Sequence, residues 1–243
     1  MNSSEMAAIA RVVNAIARDI RVAIDKLAPD ALSRRQRLSR ALLTSSIEHS
    51  VALTHLLAQH DPYYGYPAVT LFRPQIEALA RGVFFTLPTA SSDEEVESFL
   101  ETDKMPKRLP ADGGKPRTQH LSELLDSTRG VLKHFLPAAL VPFVDQAYSY
   151  DLDTYNGFVH GGSKVEVGYA CIGRRLLFSP DFYQLMNIAR HSLAQAHFAE
   201  GVLSALVYQL EMPTDVAPDR NRLIAEYEVL IRQADTHFGS TSL

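Results

Sequence analysis

Two short stretches hold the residue types that phosphate chemistry needs. In FRPQIEALARG, Arg73, Glu77 and Arg81 stand at i, i+4 and i+8. That spacing puts all three on one helix face, where Glu77 can pair with either arginine. In YSYDLDTYNGFVHGG, Asn156 and His160 also stand at i, i+4, on the last turn of a helix that Gly161 and Gly162 close. A histidine at that end is favoured in its charged form by the helix dipole, and a facing Glu77 favours it further. Packed against each other across two helices, these residues have two readings. As a phosphate-handling site, Arg73 binds the phosphate and His160 moves a proton. Asn156 and Glu77 hold both in place, and Arg81 and Tyr155 touch the substrate. As a satisfied polar network, the same side chains fix the packing of two helices and do no chemistry.

Other constellations are weaker. SRRQRLSR places Arg34, Arg35, Arg37 and Arg40 at the start of a helix. Such a cluster can hold phosphate, but no aromatic residue is interleaved to stack single-stranded bases, and it reads equally as a solvated face. None of the nine histidines has a glutamate three residues before it, and none forms an i, i+4 pair. The two-metal bundle motif and the zinc-protease helix are therefore missing. A one-metal site from His49, His55 and His160 stays open as a third reading, and no metal or cofactor is expected. His120/Glu123 and His197/Glu200 have the reversed order. Phosphate-binding glycine loops and the Gly-x-Ser-x-Gly elbow are both missing from the sequence. Cys171, the single cysteine, lies in an apolar alternation and reads as a buried thiol, not a nucleophile.

Helices must position these groups. The chain has 243 residues, 46% of them hydrophobic and 21% charged, the balance of an ordinary globular protein. Its net charge of -4 supplies no overall positive field toward nucleic acid or anionic lipid. A lone cysteine, an N-terminal stretch broken by Arg11, Arg18 and Asp19, and no apolar run near ~18 residues point to a cytoplasmic protein without a membrane span. Ile9, Val12, Val13, Ile16, Ile20, Ile24 and Leu27 recur at helical spacing from Ser3 toward Pro29. Further helices are expected over 31–60, from Ala68 or Arg73 to Leu87, and over 93–101, 118–135, 138–160, 180–210 and 218–237. DPYYGYPA reads as a turn. Residues 104–117, with three prolines and two glycines, read as a flexible loop, and the tail 238–243 is expected to fray. Val165, Val167, Tyr169 and Cys171 alternate, so a short hairpin is expected near 165–178 with Gly173 at its tip. The expectation is one all-α domain over 1–243, a bundle of about six or seven helices with that hairpin.

RPQIEALARG, the acidic helix running into ESFLETDKMP, and YNGFVHGG together resemble an uncharacterised family of bacterial helical proteins. Its members share an Arg-Pro-x-x-Glu-x-x-x-Arg-Gly helix and a later Asn-x3-His-Gly-Gly. The resemblance spans about Tyr63 to Glu166. More distantly, Asn156-x3-His160-Gly161 resembles the Arg-Asn-x3-His-Gly helix end of HEPN domains, with Tyr155 where the arginine stands. That likeness implies a metal-independent ribonuclease or RNA- or nucleotide-binding protein of stress or phage defence, acting as a homodimer. His160 is then the general acid and base, and Arg73 replaces the missing arginine as phosphate ligand. Literal Arg-x4–6-His pairs elsewhere (Arg129/His134, Arg190/His197, Arg232/His237) occur at the frequency chance gives. The alternative function is a non-catalytic helical interaction module in which Arg73, Glu77, Asn156 and His160 form a structural network.

Overall fold

The computed structural model describes residues 3–27, 29–59, 62–109, 113–135, 144, 169–172, 175–178, 182–209 and 218–238. Among them are seven α-helices: α1 (Ser3–Leu27), α2 (Arg34–Ala58), α3 (Pro62–Thr86), α4 (Asp93–Thr102), α5 (Leu121–Phe135), α6 (Phe182–Val202) and α7 (Pro218–Phe238). A π-helical turn, Leu203–Val207, ends α6. The hairpin pairs β3 (Tyr169–Ile172) with β4 (Arg175–Phe178), antiparallel, with Ile172 opposite Arg175. The all-α architecture with a short hairpin is as the periodicity implied. The expected helix over 138–160 lies outside the described residues, apart from helical, buried Val144.

One expectation changes, and another gains detail. From Pro62 onward, the stretch read as a turn is helical: α3 starts at Pro62 and carries both Pro67 and Pro74 inside it. Pro62 at the helix start gives up no hydrogen bond, and the two later prolines each remove one. Burial of Phe72, Ile76, Leu79, Ala80 and Val83 outweighs that loss. Secondly, the stretch read as a loop is tied at its described ends. β1 (Lys107–Arg108) pairs antiparallel with β2 (Arg117–Thr118), Arg108 donates to both Glu95 oxygens on α4, and Arg117 donates to both Glu123 oxygens on α5.

Helices α1, α2, α3 and α6 form the centre of the bundle, with α3 packed on α2 along most of its length and α7 laid on α1. Ile9, Ile16, Ile20 and Ile24 of α1, Leu43, Ile47 and Leu53 of α2, and Phe198 of α6 are fully enclosed. The helix starts are closed by capping boxes. Ser33 accepts from the Gln36 N–H while the Gln36 side chain accepts from the Ser33 N–H, and Ser92 and Glu95 do the same for α4. Arg220 fastens α7: its guanidinium is buried and bonds Asp19 of α1 and Glu200 of α6.

The α2–α3 crossing depends on a glycine. A Cβ on Gly82 would meet Leu43 Cγ at 2.7 Å and its backbone N at 3.1 Å. Along the same side of α2 run small polar residues, Ser39, Ser46 and Ser50, all fully buried. Gly82→Ala gains up to ~1 kcal/mol of helix propensity but overpacks the crossing by about 1–3 kcal/mol. The expected result is a lower unfolding midpoint in thermal denaturation; an unchanged or raised midpoint contradicts this packing.

The acidic partners of β1 and β2 set a pH dependence. The hydrogen bonds from Arg108 hold the Glu95 carboxyl below the usual range, and those from Arg117, helped by the His120 N–H, hold Glu123 at about 2. A depressed folded pKa means this tethering is complete above the ordinary carboxylate range and is lost as pH falls toward 2. Amide exchange at the hydrogen-bonded pair of the β1–β2 ladder should therefore be slow at pH 5 and lose its protection between pH 4 and 2; protection that persists at pH 2 contradicts the tether.

Candidate functional site

Arg73, Glu77 and Arg81 fall on one face of α3, and all three are half-buried. Arg81 Nη2 donates to Glu77 Oε1 at 2.9 Å, so of the two arginines open to it in sequence, Glu77 bonds Arg81. Their side chains are 39% and 33% exposed. A pair so exposed contributes at most about 1 kcal/mol, so stability alone gives little reason for three charges in a helix whose flanks Phe72, Ile76, Leu79, Ala80, Val83 and Phe84 are all buried.

Why the charges stay at the surface is visible on the opposite side of the helix. Gln75 is fully buried, donates from Nε2 to the Ser192 carbonyl at 2.9 Å and accepts from Ser192 Oγ at 2.7 Å. Ser46 Oγ donates to the Gln75 carbonyl at 3.1 Å, and Ser192 Oγ also reaches Ser50 Oγ at 2.8 Å. At ~100° per residue, Arg73 and Glu77 each lie roughly 160° from Gln75. With Gln75 pointed at the α2–α6 junction, those two must point away from it. Neither Gln75 nor Ser192 stands out by motif; the legible signal was a lone carboxamide amid an apolar helix.

Tyr155, Asn156 and His160 lie outside the described residues, so the structure brings together Arg73, Glu77 and Arg81 only. The metal candidates fare differently. His49 Nδ1 lies 2.7 Å from the Ser45 carbonyl and His55 Nε2 lies 3.2 Å from Gln59 Nε2, each a local contact within α2. Among the described residues no group of three His, Cys, Asp or Glu side chains is placed to hold a metal ion. His191 was not singled out in sequence. It stacks on Phe72 with ring centroids 6.5 Å apart, and burial, then the charge of Arg190, pushes its imidazole below the usual range.

The arginine cluster at the start of α2 is held internally. Arg35 donates to the Phe85 carbonyl, to Ser91 Oγ and its carbonyl, and twice to Asp93 Oδ1, all within 2.9 Å. Arg34 pairs with Glu97 at 2.7 Å, Arg37 donates to the Leu32 carbonyl at 2.6 Å, and Arg40 reaches Asp25 at 3.3 Å. An open groove of about 590 Å³ between the starts of α2 and α4 is lined by Arg34, Arg35, Asp93 and Glu97, whose charges cancel.

The family model described as "Family of unknown function (DUF6988)" matches residues 43–167, a little over half the chain. The chain belongs to this family. No curated protein and no solved structure matches it. The matched segment of this DUF6988 member runs from Leu43 on α2 through α3, α4 and α5, and includes Arg73, Glu77, Arg81, Tyr155, Asn156 and His160. Ser192 and the rest of α6 lie beyond it. No described helix is long and apolar enough to cross a membrane.

Arg35 is assigned to structure. Arg35→Ala leaves two carbonyls and a buried serine hydroxyl short of a donor, at about 1–3 kcal/mol for each group that stays dry. Arg35→Lys should rescue little of this, because one ammonium cannot reproduce the planar fork. Chemical denaturation of both variants checks it; a lysine variant as stable as the wild type contradicts the clamp.

Proposed function

We propose that this protein is a HEPN-like phosphate-site protein that binds or cleaves RNA or a nucleotide, as a cytoplasmic homodimer in stress or phage defence. The observation that carries the reading is the half-exposed Arg73/Glu77/Arg81 face, two arginines beside a carboxylate on a central helix whose other side is buried. It is supported by the family segment, which contains both this face and Asn156-x3-His160-Gly161. Partial burial strengthens a guanidinium–phosphate contact relative to one in bulk water.

In this reading Arg73 and Arg81 bind the phosphate and Glu77 orients Arg81. Asn156 positions His160, and Tyr155 contacts the substrate. On RNA, His160 takes the proton of the 2′-hydroxyl as its oxygen bonds to phosphorus, and returns a proton to the 5′-oxygen as the P–O5′ bond breaks. No metal ion is needed for that exchange. The alternative, a non-catalytic interaction module, draws support from the Glu77–Arg81 pair, which already satisfies two of the charges.

The test is incubation of the full chain with RNA, with DNA of the same sequence and with mononucleotides, following cleavage and binding. RNA cleavage or nucleotide binding in the wild type is expected, lost by at least about a hundredfold in His160→Ala for cleavage and about tenfold or more in Arg73→Ala for binding. DNA should survive, having no 2′-hydroxyl. Wild-type protein inert toward all three, or activity unchanged by His160→Ala, refutes the reading; a fall in unfolding midpoint alone for Glu77→Ala and His160→Ala supports the module.

A further inference from the structure

The outward side of α3 carries an aromatic residue in line with its charges. At ~100° per residue, Tyr66 lies within about 20° of both Arg73 and Glu77 around the helix axis, and Thr70 and Arg81 continue the same stripe. Tyr66 is half-buried and packs against the apolar core, so its ring is held in place while part of it meets the surroundings. Arg73 stands two turns further on, ~10.5 Å along the axis. Two long side chains at that separation suit a ligand with a flat aromatic group at one end and a phosphate at the other. Thr70, Pro74 and Ala78, all half-buried, fill the positions between with short side chains. By contrast, the arginine cluster SRRQRLSR of α2 holds no aromatic residue.

We propose that Tyr66 is the base-stacking residue of the α3 face, so that the ligand bound there is a free nucleotide or single-stranded RNA and not a duplex. This inference rests on the phosphate reading above and narrows it. A base inside a duplex is stacked on its neighbours and offers no face to a side chain, whereas an unpaired base does. Stacking on an aromatic ring is tolerant of base identity. Tyr66 therefore adds affinity for nucleotides over other phosphates without adding sequence preference. A tyrosine already packed on the core loses little conformational freedom when it stacks. Tyr64 is the counter-case: it is 42% exposed, but at ~160° around the axis from Tyr66 it cannot share a ligand with Arg73.

The experiment titrates the full chain by calorimetry with inorganic phosphate, ribose 5-phosphate and a mononucleotide, and with an uncleavable 2′-O-methyl RNA strand alone and in duplex. The wild type should bind the mononucleotide about tenfold or more tighter than ribose 5-phosphate, and the single strand tighter than the duplex by a similar factor. Tyr66→Leu should abolish the mononucleotide's advantage and leave the affinity for inorganic phosphate unchanged. Tyr66→Phe and Tyr64→Ala should keep that advantage. Should Tyr66→Leu fail to fold, NMR of the wild type decides: the mononucleotide should move the Tyr66 ring protons upfield, and ribose 5-phosphate should not. Equal affinity for mononucleotide and ribose 5-phosphate, an advantage that survives Tyr66→Leu, or unmoved ring protons overturns the assignment and leaves the phosphate reading standing. An equal loss of affinity for inorganic phosphate in Tyr66→Leu makes the residue structural and overturns it too. A duplex bound as tightly as the single strand overturns the single-strand claim. A wild type that binds none of the probes refutes the phosphate reading and this inference with it.

Discussion

The close approach of α2 and α3 is the constraint from which the remaining features follow. Gly82 presents no Cβ to Leu43, and α2 answers with serines at 39, 46 and 50 in place of larger side chains. Small residues bring the two backbones together, but serine hydroxyls taken out of water must be bonded. Ser46 and Ser50 solve this through Gln75 and Ser192, which carries the polar contact from α2 across α3 to α6, whereas the Ser39 hydroxyl finds no partner among the described residues. Asn14 extends the same logic to α1, donating to the Val51 carbonyl at 2.7 Å and to Thr54 Oγ1 at 3.1 Å. The described interior is thus an apolar bundle crossed by a polar seam that joins α1, α2, α3 and α6.

Charge is distributed in keeping with that arrangement. Arginine, with five donors in a planar fork, can serve as a structural tie as well as a phosphate ligand. Here Arg35 ties α2 to the end of α3 and the start of α4, Arg108 ties β1 to α4, and Arg220 ties α7 to α1 and α6. Each is committed to carbonyls or carboxylates of its own chain. On α3, Arg81 is likewise bonded to a carboxylate, Glu77, but within one helix and half-exposed, so that it ties no two elements together.

Periodicity made most of the fold legible. Helix starts near Ser3, Asp93 and Pro218 were legible, the second helix was expected three residues early, and the β3–β4 hairpin followed from alternation about Gly173. The start of α3 was not legible, because local proline and glycine rules favoured a turn where long-range packing of Phe72 and Ile76 sustains a helix. The arginine cluster on α2 was visible as composition, but its partners (Phe85, Ser91, Asp93 and Glu97) stand about fifty or sixty residues away, beyond what spacing can reveal. For the candidate site, spacing correctly gathered Arg73, Glu77 and Arg81 on one face. It missed Gln75, whose importance lies in a partner more than a hundred residues downstream.

The central claim is that the α3 face and the His160 imidazole share one phosphate. The most direct measurement is an NMR pH titration of the His160 ring with and without a non-hydrolysable nucleotide, in wild type and in Arg73→Ala. A bound phosphate beside the imidazole stabilises its charged form, so the account predicts a raised His160 pKa on nucleotide addition in the wild type and a much smaller rise in Arg73→Ala. A His160 titration unmoved by saturating nucleotide, or moved equally in both proteins, would contradict it.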